Sequence, residues 1–140
     1  MTRAEFQRLA NDRIADAQAL LRARRWAAAY YLAGYAVECG LKSCVLVRVA
    51  AEAGIIFEDR RYSEKCWTHG LPQLVDLAGL RAALAAATAA DPELLAKWDT
   101  VKDWNELSRY VRKTKAAARD FYSAVADKKH GVLSWTKVHW

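Results

Sequence analysis

The stretch Leu107–Asp120 reads LSRYVRKTKAAARD and holds Arg109, Arg112, Lys113, Lys115 and Arg119 within eleven positions, with its single acid at the end. Guanidinium groups grip phosphate oxygens through paired N–H donors, and lysines add mobile point charge, so this spacing suits an anionic ligand. Tyr110 lies among these cations and offers a ring on which a base can stack. A second set of chemistry-bearing residues is sparser. Glu38 and Lys42 are the only charges between Arg25 and Arg48, and their i,i+4 order favours an ion pair. Such a pair on an apolar helix is either a structural bridge or the polar lining of a cleft. His69 precedes a short helix and either supports its loop through a hydrogen bond or joins a pocket.

Other chemistry is poorly served. Cys66 and His69 form half of a zinc spacing, but His130 and His139 stand nine apart, so no metal is expected. Cys39 and Cys44 sit in an apolar run as packing residues. P-loop, GxGxxG, GxSxG and HExxH patterns are absent, and no cofactor is expected. Three cysteines without a CxxC pair point to a reducing compartment, hence the cytoplasm. No uninterrupted apolar h-region opens the chain, which gives no sign of a signal peptide.

The net charge of +6 is unevenly distributed. Residues 1–106 carry 14 basic and 14 acidic side chains, whereas residues 107–140 carry eight basic against Asp120 and Asp127. The whole excess therefore belongs to the last quarter of the chain, a localised field that suits nucleic acid or nucleotide.

These residues must be positioned by helices. With 140 residues, two prolines and six glycines, and 3.6-residue periodicity throughout, the chain is expected to form one all-α domain over 1–140. Thr2 and Glu5 predict a capping box for a first helix that breaks near Arg24-Arg25. A second helix is expected from Trp26 to about Ala53, with Trp26, Tyr30, Val37, Leu41 and Val45 on its core face. Two charges near the middle of this apolar run argue against a membrane span, since each costs roughly 2.5–3.5 kcal/mol to insert. Residues 55–68 read as a polar connection. Short helices are expected at about 71–78 and 80–90, and Asp91-Pro92 starts another that runs to about Lys102. From Trp104 to about Lys129 the spacing of Leu107, Val111, Thr114, Ala118, Phe121 and Val125 predicts either one helix or two divided near Thr114. The tail GVLSWTKVHW is expected to pack on the bundle.

Several segments taken together resemble a HEPN domain (higher eukaryotes and prokaryotes nucleotide-binding). They are RARRWAAAYYLAGYAVECGLKS, WTHGLPQLVDLAG, WDTVKDWNELSRY and GVLSWTKVHW, which cover nearly the whole chain. The helix W-A-x-A-Y-Y-x-A-G-Y-A-V-E-x-x-L-K is the most specific part. The resemblance implies an up-and-down bundle of four or five helices that forms a homodimer. It also implies a place beside a minimal nucleotidyltransferase in a toxin–antitoxin or defence module, or a metal-independent endoribonuclease. In such nucleases an Arg-x4–6-His motif supplies phosphate contact and acid–base chemistry at the dimer cleft.

That motif is missing. Counting from Arg109, the histidine positions hold Thr114, Lys115 and Ala116; from Arg112 they hold Ala117, Ala118 and Arg119. His130 falls eleven residues past Arg119. The sequence reading is therefore a nucleotide- or RNA-binding module in which Arg109, Tyr110, Arg112, Lys113, Lys115 and Arg119 contact the ligand. Glu38, Lys42 and His69 are its cleft candidates. A divergent endoribonuclease using Arg109 with His130 is the enzyme alternative, and a protein-interaction module with an acidic partner is the third.

Overall fold

Thr2 caps the first helix, α1 (Arg3–Arg22): its hydroxyl accepts from the Glu5 amide at 3.2 Å, and the Glu5 carboxylate accepts from the Thr2 amide at 2.6 Å. The computed structural model describes residues 1–140 and contains nine α-helices, one 3-10 turn and no strand. After α1 come α2 (Trp26–Ala51), α3 (Ile55–Glu58), α4 (Tyr62–Lys65), α5 (Leu71–Leu77), α6 (Arg81–Ala90) and α7 (Pro92–Val101). The 3-10 turn Glu106–Tyr110, α8 (Lys115–Ala126) and α9 (Val132–His139) complete the chain. The architecture is an all-helical bundle.

α2 is its axis. Val37, Leu41 and Val45 are buried as the periodicity predicts, and α1, α8, α9 and α5 all pack along this helix. No helix is long and apolar enough to cross a membrane. Asp91 accepts from the amides of Glu93 and Leu94, both at 3.1 Å, and so starts α7 where its Asp-Pro pair predicts. α9 buries Val132, Leu133 and Thr136, which seats the aromatic tail on the bundle.

One region differs from the sequence expectation, and in another the structure decides between its two alternatives. Residues 55–68 are not merely a polar connection, because α3 and α4 bury Ile55 and Tyr62, and the Tyr62 hydroxyl donates to the Leu77 carbonyl at 2.6 Å. The stretch after Trp104 is not one helix. Thr114 caps α8 through a bond from the Ala117 amide at 3.1 Å, while residues 111–114 run outside any helix. The apolar stripe read across this break is real only in α8, where Ala118, Phe121 and Val125 are buried; Leu107 and Val111 are 59% and 51% exposed.

Trp104 explains the break. Its ring is buried, 5.7 Å from that of Tyr31, and seats on Gly34 so closely that a Cβ there would run into the indole. With no side chain at Gly34, the chain after α7 docks across α2, and a continuous helix from Trp104 would carry it off that surface. The following turn is thereby laid beside the N-terminal half of α2.

Candidate functional site

Docking of the 3-10 turn on α2 brings Arg109 and Arg112 to the junction of α1 and α2. A groove of about 750 Å³ opens there, walled by Arg24, Arg25, Arg109 and Arg112 with Trp26 and Tyr31. No carboxylate lines it. All four arginines are exposed and none forms an ion pair, nor do Lys113, Lys115 and Arg119. The guanidinium of Arg109 lies 4.9 Å from the Tyr110 ring centre. The phenols of Tyr110 and, to a lesser degree, Tyr31 push its pKa further up. Tyr110 is itself 74% exposed, with its ring open to a stacking partner.

The basic strip is not uniform. Lys113 rests over the Tyr30 ring at 4.2 Å, and Tyr30 in turn meets Phe121, so this lysine fastens the break segment to the core. Lys115 and Arg119 lie exposed on α8, outside the groove wall.

Arg24 and Arg25 carry no functional signal in the sequence beyond their place at a helix break. In the structure they form the end of α1: the Arg25 amide donates to the Leu20 carbonyl at 2.8 Å and the Arg24 amide to that of Leu21 at 3.1 Å. This double closure places Arg24 at φ 58°, where helices most often carry glycine. A left-handed backbone costs an ordinary residue about 1–2 kcal/mol, and glycine's extra freedom when unfolded offsets roughly 0.5–1 kcal/mol of that. An Arg24→Gly protein is thus expected to be more stable by about 0.5–1 kcal/mol in thermal unfolding, yet weaker towards a phosphate ligand. A lower melting temperature, or unchanged affinity, contradicts this view of Arg24.

The cleft candidates meet. Glu38 is buried, its Oε1 accepting from Lys42 Nζ at 2.7 Å and from His69 Nδ1 at 3.0 Å. With Nδ1 on Glu38, Nε2 of the half-exposed His69 side chain has no partner within the chain. The thiols of Cys39 and Cys44 are pushed up to about 12 by burial, which leaves them protonated packing groups. No group of three or more His, Cys, Asp or Glu side chains is arranged to hold a metal ion.

Arg109 and His130 do not meet within the chain. α8 separates them, with Arg109 before its start and His130 after its end, a rise of about 18 Å. His130 is occupied at α7, with Nδ1 at 2.7 Å from Asp91 and Nε2 at 3.4 Å from Glu93. Its hydrogen bond holds the Asp91 carboxyl below the usual range. Within one chain, then, Arg109 and His130 lie at opposite ends of α8, and Asp91 holds the imidazole.

A second cleft, of about 640 Å³, lies between Arg48 and α3–α5, but all of its charged side chains except Glu58 are paired. Arg48 pairs with Glu52 and caps the Leu77 carbonyl, Lys65 pairs with Asp59, and Asp76 pairs with Arg81. The arginine groove presents four charges of one sign with none opposed. Comparison with known protein families, curated proteins and solved structures finds no match.

Proposed function

We propose that this chain is a HEPN-like module that binds the phosphates of a nucleotide or an RNA strand in the arginine groove without cutting it. The observation that carries the reading is the convergence of Arg24, Arg25, Arg109 and Arg112 around one groove with no carboxylate among its walls. Four neighbouring guanidiniums repel one another, and an ion pair with a phosphate relieves that repulsion while using their forked donors. Trp26 and Tyr31 in the wall, with Tyr110 at the rim, add ring faces for sugar or base.

The non-cleaving role is supported by the histidines. His130 is held by Asp91, and His69 lies on Glu38, outside the groove wall. No imidazole shares the groove with the arginines, so acid–base transfer to a phosphodiester there lacks its usual agent. Exposed Leu107, Tyr110 and Val111 beside the groove supply an apolar rim on which a second copy can close. The homodimer, like a nucleotidyltransferase partner and a cytoplasmic toxin–antitoxin or defence setting, rests on the resemblance of the α2 segment to HEPN sequences.

The test is a titration of a labelled ten-nucleotide single-stranded RNA, followed by gel analysis of the same samples. Saturable binding that Arg109→Ala weakens, with the RNA recovered intact, supports the proposal. Cleavage that depends on His130 revives the nuclease reading, and no affinity at low salt removes the groove as a phosphate site.

A further inference from the structure

At the other end of α2 from the arginines, the 640 Å³ cleft has a wall fixed by bonds from three elements. The Tyr62 hydroxyl of α4 and the Arg48 guanidinium of α2 converge on the Leu77 carbonyl at the end of α5, at 2.6 Å and 3.1 Å. α3 and α4 are single turns, too short to persist by themselves, and the burial of Ile55 and Tyr62 pins them in place. Gln73 reaches the same wall from α5, its amide lying where a side chain on Gly70 would collide with it. Ile55, Leu77 and the Tyr62 ring give the cleft its apolar lining. Its volume is that of a small-molecule pocket.

Charge in this lining does not balance. Glu58, Asp59 and Asp76 stand against Arg48 and Lys65, an excess of one negative charge. Every one of these groups except Glu58 has a counter-ion within the chain: Glu52 for Arg48, Asp59 for Lys65 and Arg81 for Asp76. An anionic ligand would be repelled by the remaining carboxylate, and a neutral one would leave it without a counter-charge. We infer that this cleft binds a small organic cation, with its ammonium group on Glu58 and an apolar body against Ile55, Tyr62 and Leu77. The Gln73 amide, both donor and acceptor, suits a polar substituent on that body. The site is separate from the arginine groove. The two share no lining residue, and α2 rises about 33 Å from Trp26 in the groove wall to Arg48.

Phenethylamine is the probe and 2-phenylethanol its neutral counterpart, each titrated against the full chain and followed by amide correlation spectra in NMR. The amine is expected to saturate, with shifts concentrated in residues 55–77 and absent from the arginine groove. It should bind about tenfold more tightly than the alcohol, the low end of the worth of a hydrogen bond between charged groups. In Glu58→Gln the amine should bind no more tightly than the alcohol, while an unchanged spectrum outside α3–α5 reports an intact fold. Equal affinity of the unaltered chain for amine and alcohol, or amine binding indifferent to Glu58→Gln, overturns the inference. So do shifts that map elsewhere, or no binding of the amine at all. RNA affinity is expected to be the same with and without Glu58→Gln, so neither result depends on the phosphate reading of the groove.

Discussion

Replacing Trp104 with alanine is expected to lower the stability of the fold by about 3–5 kcal/mol. In a domain of this size that is a fall of about 10–15 °C in melting temperature, readable by circular dichroism. Trp104 is 2% exposed, and its ring fills the space left by Gly34 against Tyr31. One opposing effect exists: its Nε1 is buried without an acceptor, a cost that alanine would recover and that places the expected loss at the lower end of that range. Loss of a large aromatic from the core exceeds that gain, so the net sign is destabilising. The same change is expected to weaken RNA binding although Trp104 does not line the groove, because the 3-10 turn bearing Arg109 is held to α2 through this indole. Trp67→Ala is the control, since that ring is 80% exposed and its removal is expected to change stability by no more than about 0.5 kcal/mol. Equal effects from the two substitutions contradict the docking role given to Trp104.

Reversing two groove charges, Arg109→Glu with Arg112→Glu, is expected to weaken RNA binding at least 100-fold at moderate salt. Each hydrogen bond to a charged group is worth about 1.5–3 kcal/mol, so two lost contacts give about 3–6 kcal/mol, and the new carboxylates repel the strand besides. Folding should respond in the opposite direction. Both side chains are exposed and lack a carboxylate partner, so the reversal relieves repulsion from Arg24 and Arg25 and leaves the melting temperature level or slightly raised. Loss of binding with retained or improved stability is the signature of charges kept for a ligand. A variant that instead melts markedly lower points to a structural role for these arginines.

Much of the helical scaffold is legible in the residues, because caps and periodicity act locally. Thr2-Glu5, Asp91-Pro92 and Thr114 each start a helix where their side chains meet the first amides. The break after Trp104 is half legible: Thr114 marks the cap, but Leu107 and Val111 continue a helical stripe that only the docking of Trp104 on Gly34 interrupts. At the site, Arg109 and Arg112 stand out by density of charge, whereas Arg24 and Arg25 do not. They lie more than eighty positions earlier and reach the same groove through the fold. The one local trace they leave is an arginine where a helix end favours glycine. Glu38 and Lys42 are legible as an i,i+4 pair on an apolar helix; that His69 completes them depends on where α5 packs. His130 shows the converse, a histidine that the sequence leaves free for chemistry and that Asp91 takes up at the start of α7.

The salt dependence of RNA binding tests most directly whether the arginines of the groove hold phosphates. With four guanidiniums engaged, the logarithm of the association constant should fall against the logarithm of salt concentration with a slope of about −3, from roughly −0.7 per phosphate for a single strand. Arg109→Ala should bring that slope closer to zero by about 0.7 while the RNA remains uncut. A slope near zero, or one that Arg109→Ala leaves unchanged, contradicts the account.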